Sequence, residues 1–121
     1  MESIHLGDTF TLTPGGHLWI VLSDPDKNCG KFVIVNLTTD SRRAGIDCIL
    51  DVGDHPWIRE KSYISYGDAQ IVTPEEKAKI LKSIEAGVTT RDFPVDLDIL
   101  KDIVDCGKKS RALAPIFKSL L

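Results

Sequence analysis

The sequence predicts an α+β domain, an antiparallel sheet strongly curled into a small barrel and followed by C-terminal helices. Two apolar runs, His17 to Leu22 and Phe32 to Leu37, have strand length and too little alternation for half-exposed strands, so both should sit centrally with both faces covered. Strand-like segments occupy residues 9–72 and helical spacing begins only at Thr73; strands followed by helices mark α+β. The length of 121 residues suits one domain, 1–121, with 1–72 as barrel core and 73–121 as a helical part.

The first strand is the short period-two stretch Thr9-Phe10-Thr11-Leu12 after Gly7-Asp8. Pro14-Gly15-Gly16 supplies the turn into the second strand at 17–22, and residues 23–30, rich in Asp, Pro, Asn and Gly, form a surface loop before the third at 32–37. A fourth strand is expected over 47–52, where Cys48, Leu50 and Val52 share one face. Ser62 to Tyr66, resumed at Ala69 to Val72, forms the fifth, with a bulge at Gly67. The expected core includes Trp19, Val21, Val33, Val35 and Leu50.

Thr73-Pro74-Glu75-Glu76 carries a helix start: a capping Thr, Pro at the first helical position and Glu to close a capping box. Lys77, Ile80, Leu81 and Ile84 make one stripe and Gly87 ends it. Residues 88–93 read as a linker. Leu97, Leu100, Ile103 and Val104 make a second helix stopped by Gly107, and Ser110 caps a last short one, with Pro115 tolerated only near its first turn.

Composition narrows the partners. Net charge is −3, and before Val72 the chain holds six Lys/Arg against ten Asp/Glu, so a nucleic acid could be held only by a local basic cluster. Lys31, Arg42, Arg43, Arg59 and Lys61 are the candidates. No segment is long and apolar enough for a membrane span, and Met1 to His5 lacks the start of a secretory signal, so no membrane partner and a cytoplasmic location are expected. The cysteines, Cys29, Cys48 and Cys106, lack any CxxC element and are expected reduced; zinc on Cys29, Cys48 and His55 falls short of the usual paired four-ligand set. Neither metal nor cofactor is expected.

The order of features resembles the MazF/PemK-like toxin family: Gly7-Asp8 before a hydrophobic strand, an apolar strand from Leu18 reaching Asp24, Val33-Ile34-Val35 leading to Thr39, then a Ser-hydrophobic strand from Ser62 to Ile71. The likeness covers about Leu6 to Val72. It implies an SH3-like barrel, a homodimer, an antitoxin protein as partner and endoribonuclease activity on RNA. It also implies that Thr39, with Thr38 beside it, occupies the family's hydroxyl position. The family's Arg before the second strand is replaced by His17, a charge switch where a fixed charge is usual.

Metal-independent RNA cleavage needs one group to take the 2′-hydroxyl proton and another to protonate the leaving oxygen. His17 and His55 are the candidate pair, with Thr39 on a phosphate oxygen and Arg42, Arg43 or Arg59 against the developing charge. A base could stack on Trp57 or Tyr66. Each residue also has a structural alternative. His17 could pack beside Trp19, His55 could hydrogen-bond within its Gly-Asp-His-Pro turn, Trp57 and Ile58 could plug the barrel end, and Arg42-Arg43 could be a solvated loop. The same chain could be a catalytically inactive barrel that binds RNA or a protein partner through loops 38–43 and 54–59, or could dock an antitoxin or second copy on its C-terminal helices.

Overall fold

The two apolar runs become the centre of a sheet because burying their faces is the largest gain open to the chain, about 1.5–3 kcal/mol for each large side chain removed from water. The computed structural model describes residues 3–44 and 47–121. Among them, six strands form one antiparallel, curled half-barrel: β1 (Thr9–Thr11), β2 (Leu18–Val21), β3 (Phe32–Thr38), β4 (Ile49–Leu50), β5 (Ser62–Val72) and β6 (Thr90–Asp92), in the spatial order β4-β5-β3-β2-β1-β6. The helices are α1 (Ser41–Ala44), α2 (Pro74–Glu85), α3 (Leu97–Lys109) and α4 (Pro115–Lys118). The expected α+β architecture is the observed one.

Every residue of β3 is buried. One face, through Val35 and Leu37, joins Leu18, Ile20, Ile64 and Tyr66 in a core closed by Leu100 and Ile103 of α3 and by Leu113. The other, through Phe32 and Ile34, joins Ile4, Phe10 and Val21, with Ile80 and Leu81 of α2 packed on it. Covered on both sides, the strand gains nothing from alternation. Of the expected core, Val21, Val33, Val35 and Leu50 are fully buried, whereas Trp19 is half-buried at the margin of the second cluster.

Gly67 does mark an irregularity. Ile34 pairs with Gln70 but Asn36 pairs with Ser65, so between these pairs the one residue Val35 of β3 faces four of β5. Ser65 Oγ donates to Asp68 Oδ2 across the excursion at 2.7 Å, and Tyr66 enters the inner core and donates to the Ile103 carbonyl of α3 at 2.6 Å.

The helix start at Thr73 has both halves of its capping box, Glu76 N–H to Thr73 Oγ1 and Thr73 N–H to Glu76 Oε1. Gly87, just past the end of α2, has φ +78°, the left-handed conformation that glycine adopts without cost.

Several expectations need correction. The sheet has a sixth strand where 88–93 read as a linker: β6 pairs with β1 along its free edge, Thr9 opposite Asp92 and Thr11 opposite Thr90. The strand expected over 47–52 shrinks to Ile49–Leu50, because a turn closed by Asp51 N–H on Asp54 Oδ2 pulls Val52 away, and that side chain is 65 % exposed. Gly107 does not stop α3. It lies within the helix, where an added Cβ would come within 3.0 Å of the Tyr66 ring. Ser110 ends α3 instead of starting a helix, with its hydroxyl donating to Asp47 Oδ2, and Pro115 opens α4, in the first turn where proline fits.

Candidate functional site

Antiparallel pairing of β2 and β3 brings the start of one against the end of the other, so His17 meets the Leu37–Thr39 segment. The turn before His17 is closed by Gly16 N–H on the Thr13 carbonyl, with Gly15 at φ +73°. The half-buried ring is oriented by its own hydrogen bond, Nδ1 to the Leu37 carbonyl at 2.9 Å. A carbonyl only accepts, so Nδ1 carries the proton in both the neutral and the charged ring. Nε2 has no partner among the described residues.

His17 lines a cavity of about 240 Å³ with Gly15, Gly16, Leu37, Thr38, Thr39 and Trp57. A larger one, about 450 Å³, shares Thr39 and Trp57 with it and adds Pro56, Arg59, Glu60, Ser62 and Asp92. The two cavities adjoin at Thr39 and Trp57, and the surface they line together is the candidate groove. Thr39 is exposed, whereas Thr38 is buried, with its Oγ1 accepting from Asp40 N–H. Trp57 is half-buried against the inner core, and Ile58 beside it fills that core. Arg59 and Glu60 are exposed and have no side-chain partners among the described residues. Ser62 Oγ donates to the Glu60 carbonyl at 2.9 Å, which fixes the backbone beneath the carboxylate.

Five expected site residues therefore line the groove: His17, Thr38, Thr39, Trp57 and Arg59. The others lie elsewhere. His55 lines neither cavity and is 2 % exposed; its Nδ1 accepts from Trp57 N–H at 3.0 Å and its Nε2 faces the Phe93 carbonyl at 2.5 Å. An acceptor at one nitrogen and a donor at the other describe the neutral Nε2–H tautomer, with both sites used by the fold. The imidazole pair is thus not assembled. Tyr66 is 1 % exposed, and burial pushes its phenol far above its ordinary value, so it offers no ring face to a base. Arg42 is exposed and lies 3.4 Å from Asp40, which offsets its charge. The Arg43 side chain lies outside the described residues.

Glu60, Ser62 and Asp92 were missed. Glu60 sits in an Arg-Glu-Lys run that reads as basic, Ser62 reads as a strand start, and Asp92 belongs to the edge strand that has no apolar signal. Among the described residues no three His, Cys, Asp or Glu side chains are placed to hold a metal ion, so the Cys29, Cys48 and His55 set does not assemble. No described helix is long and apolar enough to cross a membrane.

A second titratable cluster lies between α3 and the β4 edge, in a cavity of about 520 Å³ lined by Asp47, Cys48, Asp102, Asp105, Cys106 and Lys109. Burial, with Cys106 against it, pushes the Cys48 thiol up to about 12. A thiol so protonated is a poor nucleophile.

No protein-family model matches the chain, and neither the curated proteins nor the solved structures contain a match.

Proposed function

We propose that the groove is the site of a metal-independent endoribonuclease of the kind the sequence resemblance implies, with Glu60 and His17 as its proton-handling groups. The observation that carries this reading is the anchored His17 ring, in a groove with Arg59, Glu60 and the half-buried Trp57, where His17 Nε2 and the Arg59 and Glu60 side chains have no partner among the described residues. The Glu60 carboxylate takes the proton of an RNA 2′-hydroxyl, and the 2′-oxygen attacks the adjacent phosphorus. The bond from phosphorus to the 5′-oxygen breaks, and protonated His17 gives its Nε2 proton to that leaving oxygen. Arg59 offsets the charge that builds on the phosphate, Thr39 donates to a phosphate oxygen, and a base rests on Trp57. The products are a 2′,3′-cyclic phosphate and a 5′-hydroxyl.

The resemblance also implies a second copy or an antitoxin as partner. Exposed Leu97, Val52 and Ile116, none of which lines the groove, belong to the apolar surface this reading leaves for such contact.

The test is incubation of the protein with single-stranded RNA in excess chelator, followed by mapping of product ends. Each general acid or base is worth about a hundred- to ten-thousand-fold, so His17→Ala, which stays folded, loses at least the lower factor, and Thr39→Val loses less. The pH profile is bell-shaped, as an acid and a base acting together require. Equal cleavage by wild type and His17→Ala overturns the reading. RNA bound but not cut makes the chain a catalytically silent binding module, and RNA neither bound nor cut removes RNA as the ligand.

A further inference from the structure

Phe93 combines an exposed side chain with a heavily fixed backbone. Its ring is 66 % exposed, a loss of apolar burial that the fold does nothing to recover. Its N–H donates to Asp92 Oδ1 at 2.8 Å, and its carbonyl receives both Thr9 Oγ1 at 2.7 Å and His55 Nε2 at 2.5 Å. The donor from β1 is part of the sheet, and the donor from His55 is almost wholly buried. An exposed aromatic on an immobilised backbone gives contact area at little further cost in entropy, as recognition surfaces require.

Its position supplies the second observation. Phe93, Arg91, Asp92 and Pro94 line a shallow hollow of about 310 Å³, and Asp92 also lines the larger cavity of the groove. Asp92 thus borders both the cavity that holds Trp57 and the hollow that holds Phe93, and the His55 ring bonds the backbones of both aromatics. The hollow has an aromatic face and a proline, and its two charged residues are engaged: Arg91 with Asp8 at 3.1 Å and the Ser3 carbonyl, and Asp92 Oδ1 with the Phe93 N–H. Such a surface suits a planar base, which stacks without base-specific hydrogen bonds.

We infer that Phe93 is a second base-stacking platform, which holds a nucleotide flanking the scissile phosphate of a single-stranded RNA, and that His55 is the positioning residue that fixes it. The inference rests on RNA being the ligand of the groove but not on the groove being catalytic. It gives the buried histidine a part in recognition in place of proton transfer.

The experiment uses a fluorescein-labelled 2′-O-methyl RNA hexanucleotide, which lacks the attacking hydroxyl, and measures binding by anisotropy while one abasic residue is moved along the strand. At one position the abasic residue weakens wild-type binding by about 5- to 150-fold, the worth of one stacked base. Phe93→Ala loses the same factor on the intact strand and becomes indifferent to the abasic residue at that position, while Phe93→Trp keeps both. Phe93→Ala binding as tightly as wild type, or staying sensitive at that position, overturns the platform alone. Tight, Phe93-dependent binding by a protein that cuts no RNA sustains the platform and removes the catalytic reading. No binding by wild type overturns the platform together with RNA as the ligand. A change in sedimentation on Phe93→Ala with no change in RNA affinity assigns the ring to a protein contact and also overturns it.

Discussion

His55→Ala is expected to damage the fold far more than His17→Ala, and the difference can be worked from the hydrogen bonds. Removing the His55 ring leaves the part-buried Trp57 N–H without its acceptor, and a donor left unpaired away from water costs about 1–3 kcal/mol. The Phe93 carbonyl suffers less, because Thr9 Oγ1 still reaches it. The ring is 2 % exposed, so its removal also opens a cavity, worth about 2 kcal/mol in line with other large-to-small core changes. The sum is about 3–5 kcal/mol, a large part of a domain's typical 5–15. His17 is half-buried and makes one hydrogen bond, so its loss costs about 1 kcal/mol. Equilibrium urea unfolding followed by tryptophan fluorescence reads the contrast: with a slope of about 2 kcal/mol per molar urea, the His55→Ala midpoint falls by about 2 M and that of His17→Ala by about 0.5 M. A His55→Ala midpoint as high as wild type, or a His17→Ala midpoint below that of His55→Ala, would refute the assignment of one histidine to the fold and the other to the groove.

Two further outcomes concern the inner core. The Cys48 thiol rises from 9.0 to about 12 on folding, so the folded state holds this proton more tightly: the contribution is complete below pH 9 and is lost as pH rises towards 12, by up to about 4 kcal/mol. Buried Tyr66 acts with the same sign, and Cys48→Ala, measured by urea unfolding between pH 8 and 11, should lose less stability than wild type over that interval. Gly107→Ala places a Cβ 3.0 Å from the Tyr66 ring and should lower the urea midpoint by an amount worth about 1–3 kcal/mol despite alanine's better helix propensity; a raised midpoint would show that the ring can yield.

The elements legible in the sequence were those whose signal is local. The runs at 17–22 and 32–37 announce buried strands because their own composition forbids exposure, and Thr73 with Pro74 and Glu76 announces a helix because the cap is built from neighbours in sequence. β6 has no such signal. Thr90-Arg91-Asp92 is polar and three residues long, and is a strand only because β1 presents a free edge to it. Gly107 misled for a related reason: a glycine at a helix end and a glycine that admits a neighbouring ring look the same until Tyr66 is placed beside it.

The site divides along the same line. His17, Thr39, Trp57 and Arg59 could be found because strand ends and the loops beside them gather at one rim of a curled sheet, wherever the register falls. The role of an imidazole could not, because it depends on what faces each ring nitrogen. Leu37 meets His17 at one nitrogen and leaves the other open, whereas Trp57 and Phe93 take both nitrogens of His55. The two contacts of His55 are to the backbones of the two aromatics that border the groove, Trp57 within it and Phe93 at its rim. One buried ring thus couples the spacing of two surfaces suited to stacked bases. With RNA as the proposed ligand, a change at His55 that spares the fold should therefore alter RNA affinity through both aromatics at once and leave the chemistry proposed for His17 in place.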